Sequence, residues 1–168
     1  MIELDCELER ILGGLWGRGI DSANRLQIML DEVWHLPGEL FWPVFHKVWP
    51  TTDATWRQQD ELVELLQFHQ PMEEFLKGQD RVFYEQLPDV IQIYRGSSRD
   101  RVHGLSWTID RRIAESFARG HRGVPVPEPV VARVSIPKSA VLAISIERGE
   151  SELLVDPDSI SANAMELA

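Results

Sequence analysis

The feature that most constrains this chain is a change in the spacing of its apolar residues near Asp89. Before that point they recur three and four apart, as in Leu4, Leu8, Ile11 and Leu12, or Leu26, Met29, Leu30 and Val33. After it they alternate: Val130, Ala132, Val134 and Ile136 are separated by Val131, Arg133 and Ser135. A helix returns to the same face every 3.6 residues and a strand every two, so the two patterns require different elements. The expectation is an α+β fold in a single domain. It comprises a helical lobe over residues 1–88, a mostly antiparallel β-rich core over 89–157, and a loosely held tail over 158–168.

Within the lobe, a first helix over Glu3–Leu12 is expected to stop at Gly13–Gly14, and a loop around Trp16 to follow it. Ser22 is read as the cap of a second helix, and Phe41, Trp42, Phe45 and Val48 mark a third segment ending at Pro50. Thr51–Thr52–Asp53 reads as the start of a fourth, with Leu62, Val63, Leu65, Leu66 and Phe68 on its apolar face. Two short helices then carry Met72, Phe75 and Leu76, and Val82, Phe83 and Leu87. Five of the six tryptophans fall here, and are expected in the core unless one or two line a groove. In the second part, Val90–Tyr94 is a strand followed by a polar loop over Gly96–Val102. Ser106–Thr108 is extended, Asp110 caps a helix reaching Ala118, and strands follow at Val130–Ile136, Val141–Ile146 and Glu152–Val155.

Composition narrows the function classes. No apolar run approaches the ~18 residues that span a bilayer, which argues against a membrane role. The acidic start lacks the basic segment of a secretory signal, and the lone Cys6 excludes an internal disulfide, so a cytoplasmic setting is expected. A net charge of −10 argues against a broad phosphate-tracking surface, although the arginines concentrate in the second half. The five histidines are scattered and form no HExxH, so no metal site is expected. There is no GxSxG elbow, and the glycines of Gly13–Gly19 have neither dinucleotide nor phosphate-loop spacing.

Three short stretches place polar residues where a strand would otherwise stay apolar: Tyr94–Arg95–Gly96, Ser106–Trp107–Thr108 and Glu150–Ser151–Glu152. Residues two apart on a strand share a face. On that rule Ser106 pairs with Thr108 and Glu150 with Glu152, and a cation, two hydroxyls and two carboxylates are expected to converge on one side of a sheet.

In this order and context, the three stretches resemble the R-S-E class of ADP-ribosyltransferases, a group that includes bacterial toxins and phage enzymes. The resemblance covers Asp89 to Pro157 and implies the family's split antiparallel core. It implies NAD as the substrate, cleaved between nicotinamide and ribose, with ADP-ribose passed to an acceptor. An arginine of a target protein is the leading acceptor; a nucleic acid or small molecule is the variant. On this pattern Glu152, Glu150 and Ser106 are catalytic, while Arg95, Tyr94, Gly96, Ser106, Trp107 and Thr108 bind the nucleotide. Tyr94 or Trp107 either stacks on nicotinamide or packs in the core. The loop Arg119–Pro129, with His121 and Arg122, would cover the NAD phosphates. The segment Glu147–Arg148–Gly149, ahead of the acidic pair, is short for the family. Two alternatives stay open: a catalytically silent binding or inhibitory protein of the same fold, and an NAD glycohydrolase. A toxin role would add an antitoxin or immunity partner.

Overall fold

The computed structural model describes residues 2–53, 55–120, 125–146 and 149–167. The chain forms two compact units, Met1–Leu76 and Lys77–Ala168. The first is helical and the second is an antiparallel sheet with helices, so the class is α+β with the helices leading.

The first unit contains α1 (Ile2–Leu15), α2 (Arg25–Val33), α3 (Gly38–Val48) and α4 (Gln59–Phe68). Gly13 and Gly14 do not stop α1. Each costs about 1 kcal/mol inside a helix, but continuing to Leu15 buries that side chain completely, worth about 1.5–3 kcal/mol. Nor is Ser22 the cap of α2: the Asp21 carboxylate instead accepts the backbone N–H groups of Ala23 and Asn24, at 2.9 and 3.3 Å. Thr51–Thr52–Asp53 does not open α4. The Thr51 and Thr52 hydroxyls donate backwards, to the carbonyls of Val48 at 2.7 Å and Trp49 at 2.8 Å, and so close the preceding turn. Pro43 lies inside α3. An interior proline costs about 3 kcal/mol. The helix persists because Phe41, Trp42, Val44, Phe45 and Val48 are all fully buried, each worth about 1.5–3 kcal/mol. Met72–Glu74 is a single 3-10 turn rather than a helix. Trp42 and Trp49 join the core, but Trp16, Trp34 and Trp56 do not, and Phe68, expected on the buried face of α4, is 72% exposed.

The second unit begins with α5 (Gly78–Gln86), which the sequence had suggested as part of the helical lobe. It continues with β1 (Val90–Ser98), β2 (Ser106–Thr108), α6 (Arg111–Ala118), β3 (Pro129–Pro137), β4 (Val141–Ser145), β5 (Glu152–Val155) and β6 (Glu166–Leu167). The sheet order is β4-β5-β2-β1-β3-β6, and among the described residues every strand pairing is antiparallel. β1 runs past the expected loop boundary at Gly96 because β3 offers a partner along its whole length, from Val90↔Pro137 to Ser98↔Pro129. β3 keeps the alternation read from its sequence, with Val130, Ala132, Val134 and Ile136 buried. β4 does not alternate: all five of its residues are buried, with α5 packed against it. The tail is not loose throughout. β6 pairs with β3 through Ala132↔Leu167 and Arg133↔Glu166, reinforced by an ion pair between the last two side chains. That pairing covers an edge of β3 that would otherwise present open backbone groups.

Candidate active site

β1, β2 and β5 are neighbours in the sheet, and the polar residues singled out from the sequence meet at this point. Tyr94 lies opposite Thr108, and Thr108 opposite Glu152. Directly opposed residues share a face, so Tyr94, Ser106, Thr108 and Glu152 belong to one side, with Gly96. Arg95 belongs to the other, with Ile93 and Trp107. The single face expected from alternation alone is therefore not what the register produces. Arg95 reaches the cleft by another route. β1 and β2 pair only at Tyr94↔Thr108, and beyond that bridge the guanidinium spans to the start of β2. It donates to the carbonyls of Ser106 at 2.7 Å and Arg101 at 3.3 Å.

Gly104 makes this position possible. A Cβ there would stand 2.2 Å from Arg95 Nη2 and 2.3 Å from Cζ, so only glycine lets the β1–β2 loop lie against the guanidinium. Trp107 Nε1 holds that loop by donating to the Gly104 carbonyl at 2.8 Å. Burial lowers the Arg95 pKa to about 10, while the Glu152 carboxylate opposes the shift. The group remains a cation at neutral pH, partly buried and facing an acid.

The Ser106 hydroxyl donates to Glu152 Oε1, fixing that carboxylate at the first residue of β5. The Thr108 hydroxyl donates to the Glu150 carbonyl at 2.6 Å and accepts the Asp110 N–H at 3.1 Å. Glu150 is not in the strand. Ser151 has φ of 46° and Gly149 has φ of 68°, so regular alternation does not run back through Ser151. Its backbone is located by Thr108, and both glutamates border the same cleft.

α6 supplies the apolar wall. The Asp110 carboxylate accepts the Arg112 N–H at 2.8 Å, capping the helix, and this bond holds Asp110 below the usual carboxylate range. Gly96 lets the helix sit directly on β1, since a Cβ there would be 1.7 Å from the Ala114 carbonyl oxygen. Ile113, Ala114 and Phe117 then line the cleft beside Tyr94, Arg95, Gly96, Ser106, Trp107 and Thr108. Tyr94 is half-buried, with its hydroxyl donating to Gln92 Oε1 at 2.5 Å; Trp107 is 1% exposed and mostly within the sheet core.

Sequence reasoning did not assign Gly104, Ile113 or Phe117 to the site. The i, i+4 spacing of Ile113 and Phe117 marks one helical face, but it does not separate a core face from a cleft wall. His121, Arg122, Glu147 and Arg148 lie outside the described residues. Among the described residues, no three His, Cys, Asp or Glu side chains are grouped to hold a metal ion, and no helix is long and apolar enough to cross a membrane. The assembled cleft offers a partly buried cation, a carboxylate held by a hydroxyl, a second carboxylate and an apolar wall. Comparison of the chain with protein-family models, curated proteins and solved structures finds no match in any of the three.

Proposed function

We propose that this cleft binds NAD as substrate and that the chain is a mono-ADP-ribosyltransferase. The observation that carries the reading is the Ser106–Glu152 hydrogen bond, which spans 46 residues of sequence, formed beside the Arg95 guanidinium. The parting of β1 and β2 after one bridge is also what a split antiparallel core of that family would have.

The residues suit the chemistry. A guanidinium offers a planar set of donors to the NAD diphosphate. The Ile113–Phe117 wall is apolar and suits a planar heterocycle. When the bond between nicotinamide nitrogen and the ribose carbon breaks, the electron pair leaves with nicotinamide and positive charge develops on the sugar. A carboxylate fixed nearby stabilises that charge more in the transition state than in the ground state. Glu152 takes this role, and Ser106 positions it. The acceptor, an arginine side chain of a target protein on the leading reading, forms the new bond to the same carbon. It gives up a proton, for which Glu150 is the nearby base.

Labelled NAD incubated with the chain and a cell lysate should mark a macromolecule, and nuclease or protease treatment identifies its class. Glu152→Gln should reduce labelling on the order of 100-fold or more with unchanged circular dichroism. Undiminished labelling in that variant refutes the assignment. Release of free ADP-ribose with no labelled acceptor assigns hydrolysis instead of transfer. No calorimetric signal with NAD favours a binding protein of the same fold.

A further inference from the structure

The helical unit carries a groove that the proposed chemistry does not use. Leu30 and Leu65, on α2 and α4, are buried in its floor, while Trp34 and Phe68 stand at its sides, 62% and 72% exposed. Glu61 and Glu64 complete the lining. Large aromatic side chains exposed together beside charged ones are how protein-binding surfaces differ from ordinary ones.

The groove is preformed. At one end the buried His69 ring stacks on Phe41 of α3 at 3.7 Å between ring centroids, and the Trp42 indole donates to the His69 carbonyl at 3.1 Å, so the end of α4 is held on α3. At the other, the Gln27 side-chain amide donates to Asp31 at 3.1 Å and to Glu61 at 3.4 Å. Leu30 and Trp34 are four apart, as are Glu61 and Leu65, and Glu64 and Phe68. Such i, i+4 rows are the ridges between which a third helix packs.

Charge selects the occupant. Residues 1–76 contain fourteen Asp and Glu against five Lys and Arg, a net of −9, so nine of the chain's ten excess negative charges belong to the unit with the groove. Among the described residues, no Lys or Arg lines the groove. A second copy of the chain would bring an equally acidic helical unit to this surface and be repelled.

We infer that this groove docks a partner protein's amphipathic helix, whose apolar stripe seats between Trp34 and Phe68 and whose flanking lysines or arginines meet Glu61 and Glu64. This does not rest on the NAD reading.

The probe is a fluorescein-labelled amphipathic helix of leucine and lysine, titrated by anisotropy against the full chain at low salt. Saturable binding is expected, with little for the same peptide carrying glutamate in place of lysine. Trp34→Ala with Phe68→Ala should weaken it at least tenfold, and so should Glu61→Lys with Glu64→Lys. Asp5→Lys with Glu9→Lys, an equal charge change at exposed sites on α1, should change it less than threefold. Near-UV circular dichroism confirms that each variant is folded. Equal loss in the α1 variant would reduce the effect to general charge attraction and overturn the proposal. So would wild-type affinity after removal of both aromatics, or equal binding of the glutamate peptide. Sedimentation showing a dimer of the chain that Phe68→Ser dissolves would give the groove to a second copy instead.

Discussion

Substituting alanine at two glycines of one cleft should produce two different defects. At Gly104 the added methyl would stand 2.2–2.7 Å from three atoms of the Arg95 guanidinium. These belong to the free end of a flexible side chain, so the guanidinium yields rather than the backbone. Restoring ordinary contact moves it by roughly 1 Å, away from the carbonyls of Ser106 and Arg101. A bond from a charged donor is worth about 1.5–3 kcal/mol, but the displaced cation regains water, so Gly104→Ala should cost about 1 kcal/mol of stability. Its effect on the cleft is larger, because about 1 Å of misplacement can cost about 100-fold in rate. At Gly96 the obstacle is the Ala114 carbonyl oxygen at 1.7 Å, with the Ala118 nitrogen at 2.8 Å, both backbone atoms of α6. The helix itself must retreat, and Gly96→Ala should cost about 3 kcal/mol, the upper part of the range for overpacking. Urea denaturation read by near-UV circular dichroism, together with turnover of NAD in the reaction proposed above, separates the two. Gly104→Ala should keep its denaturation midpoint close to wild type and lose turnover; Gly96→Ala should lose both. Equal losses of stability, or wild-type turnover in Gly104→Ala, would refute the argument that Gly104 seats Arg95.

Two further outcomes follow from the helical unit. Burial lowers the His69 pKa below 6.5, with the bond to the Trp34 carbonyl partly opposing. The folded state therefore holds a neutral ring, and below pH 6.5 the unfolded chain takes up the extra proton. Stability should be complete above that value and fall as pH drops towards the lowered folded pKa, by no more than about 1.4 kcal/mol per pH unit for one proton. His69→Phe should flatten this part of the profile in urea titrations at pH 7.5, 6.5 and 5.5; an unchanged slope would remove His69 as its source. Gly13→Ala should stabilise the unit by about 0.5–1 kcal/mol, since α1 passes through Gly13 and nothing lies within 4 Å of a Cβ there. A lowered urea midpoint would mean that the helix does not need to continue there.

The site was partly legible because its polar residues interrupt apolar strands, and interruptions are visible one residue at a time. Arg95, Ser106, Glu150 and Glu152 all border the cleft. Their geometry was not legible. The positive φ at Ser151 breaks the alternation that would relate Glu150 to Glu152, and the face of Arg95 depends on β1 and β2 pairing at a single bridge. Gly104 carries no side chain, so its importance exists only once Arg95 lies against it. Phe68 completes the apolar row of α4 but stands 72% exposed, because periodicity locates a face without saying what covers it.

Local pattern alone determined that helices precede a sheet, that Asp110 begins α6 and that β3 alternates. Each of these depends on neighbours within a few residues, whose spacing selects which stripe can be buried. Tertiary structure alone decided the strand order β4-β5-β2-β1-β3-β6. That order brings Ser106 to Glu152 across 46 residues of chain and lays the Arg95 guanidinium against Gly104. Such contacts are settled by which strand edges pair and in what register, and register depends on the packing of both sheet faces together.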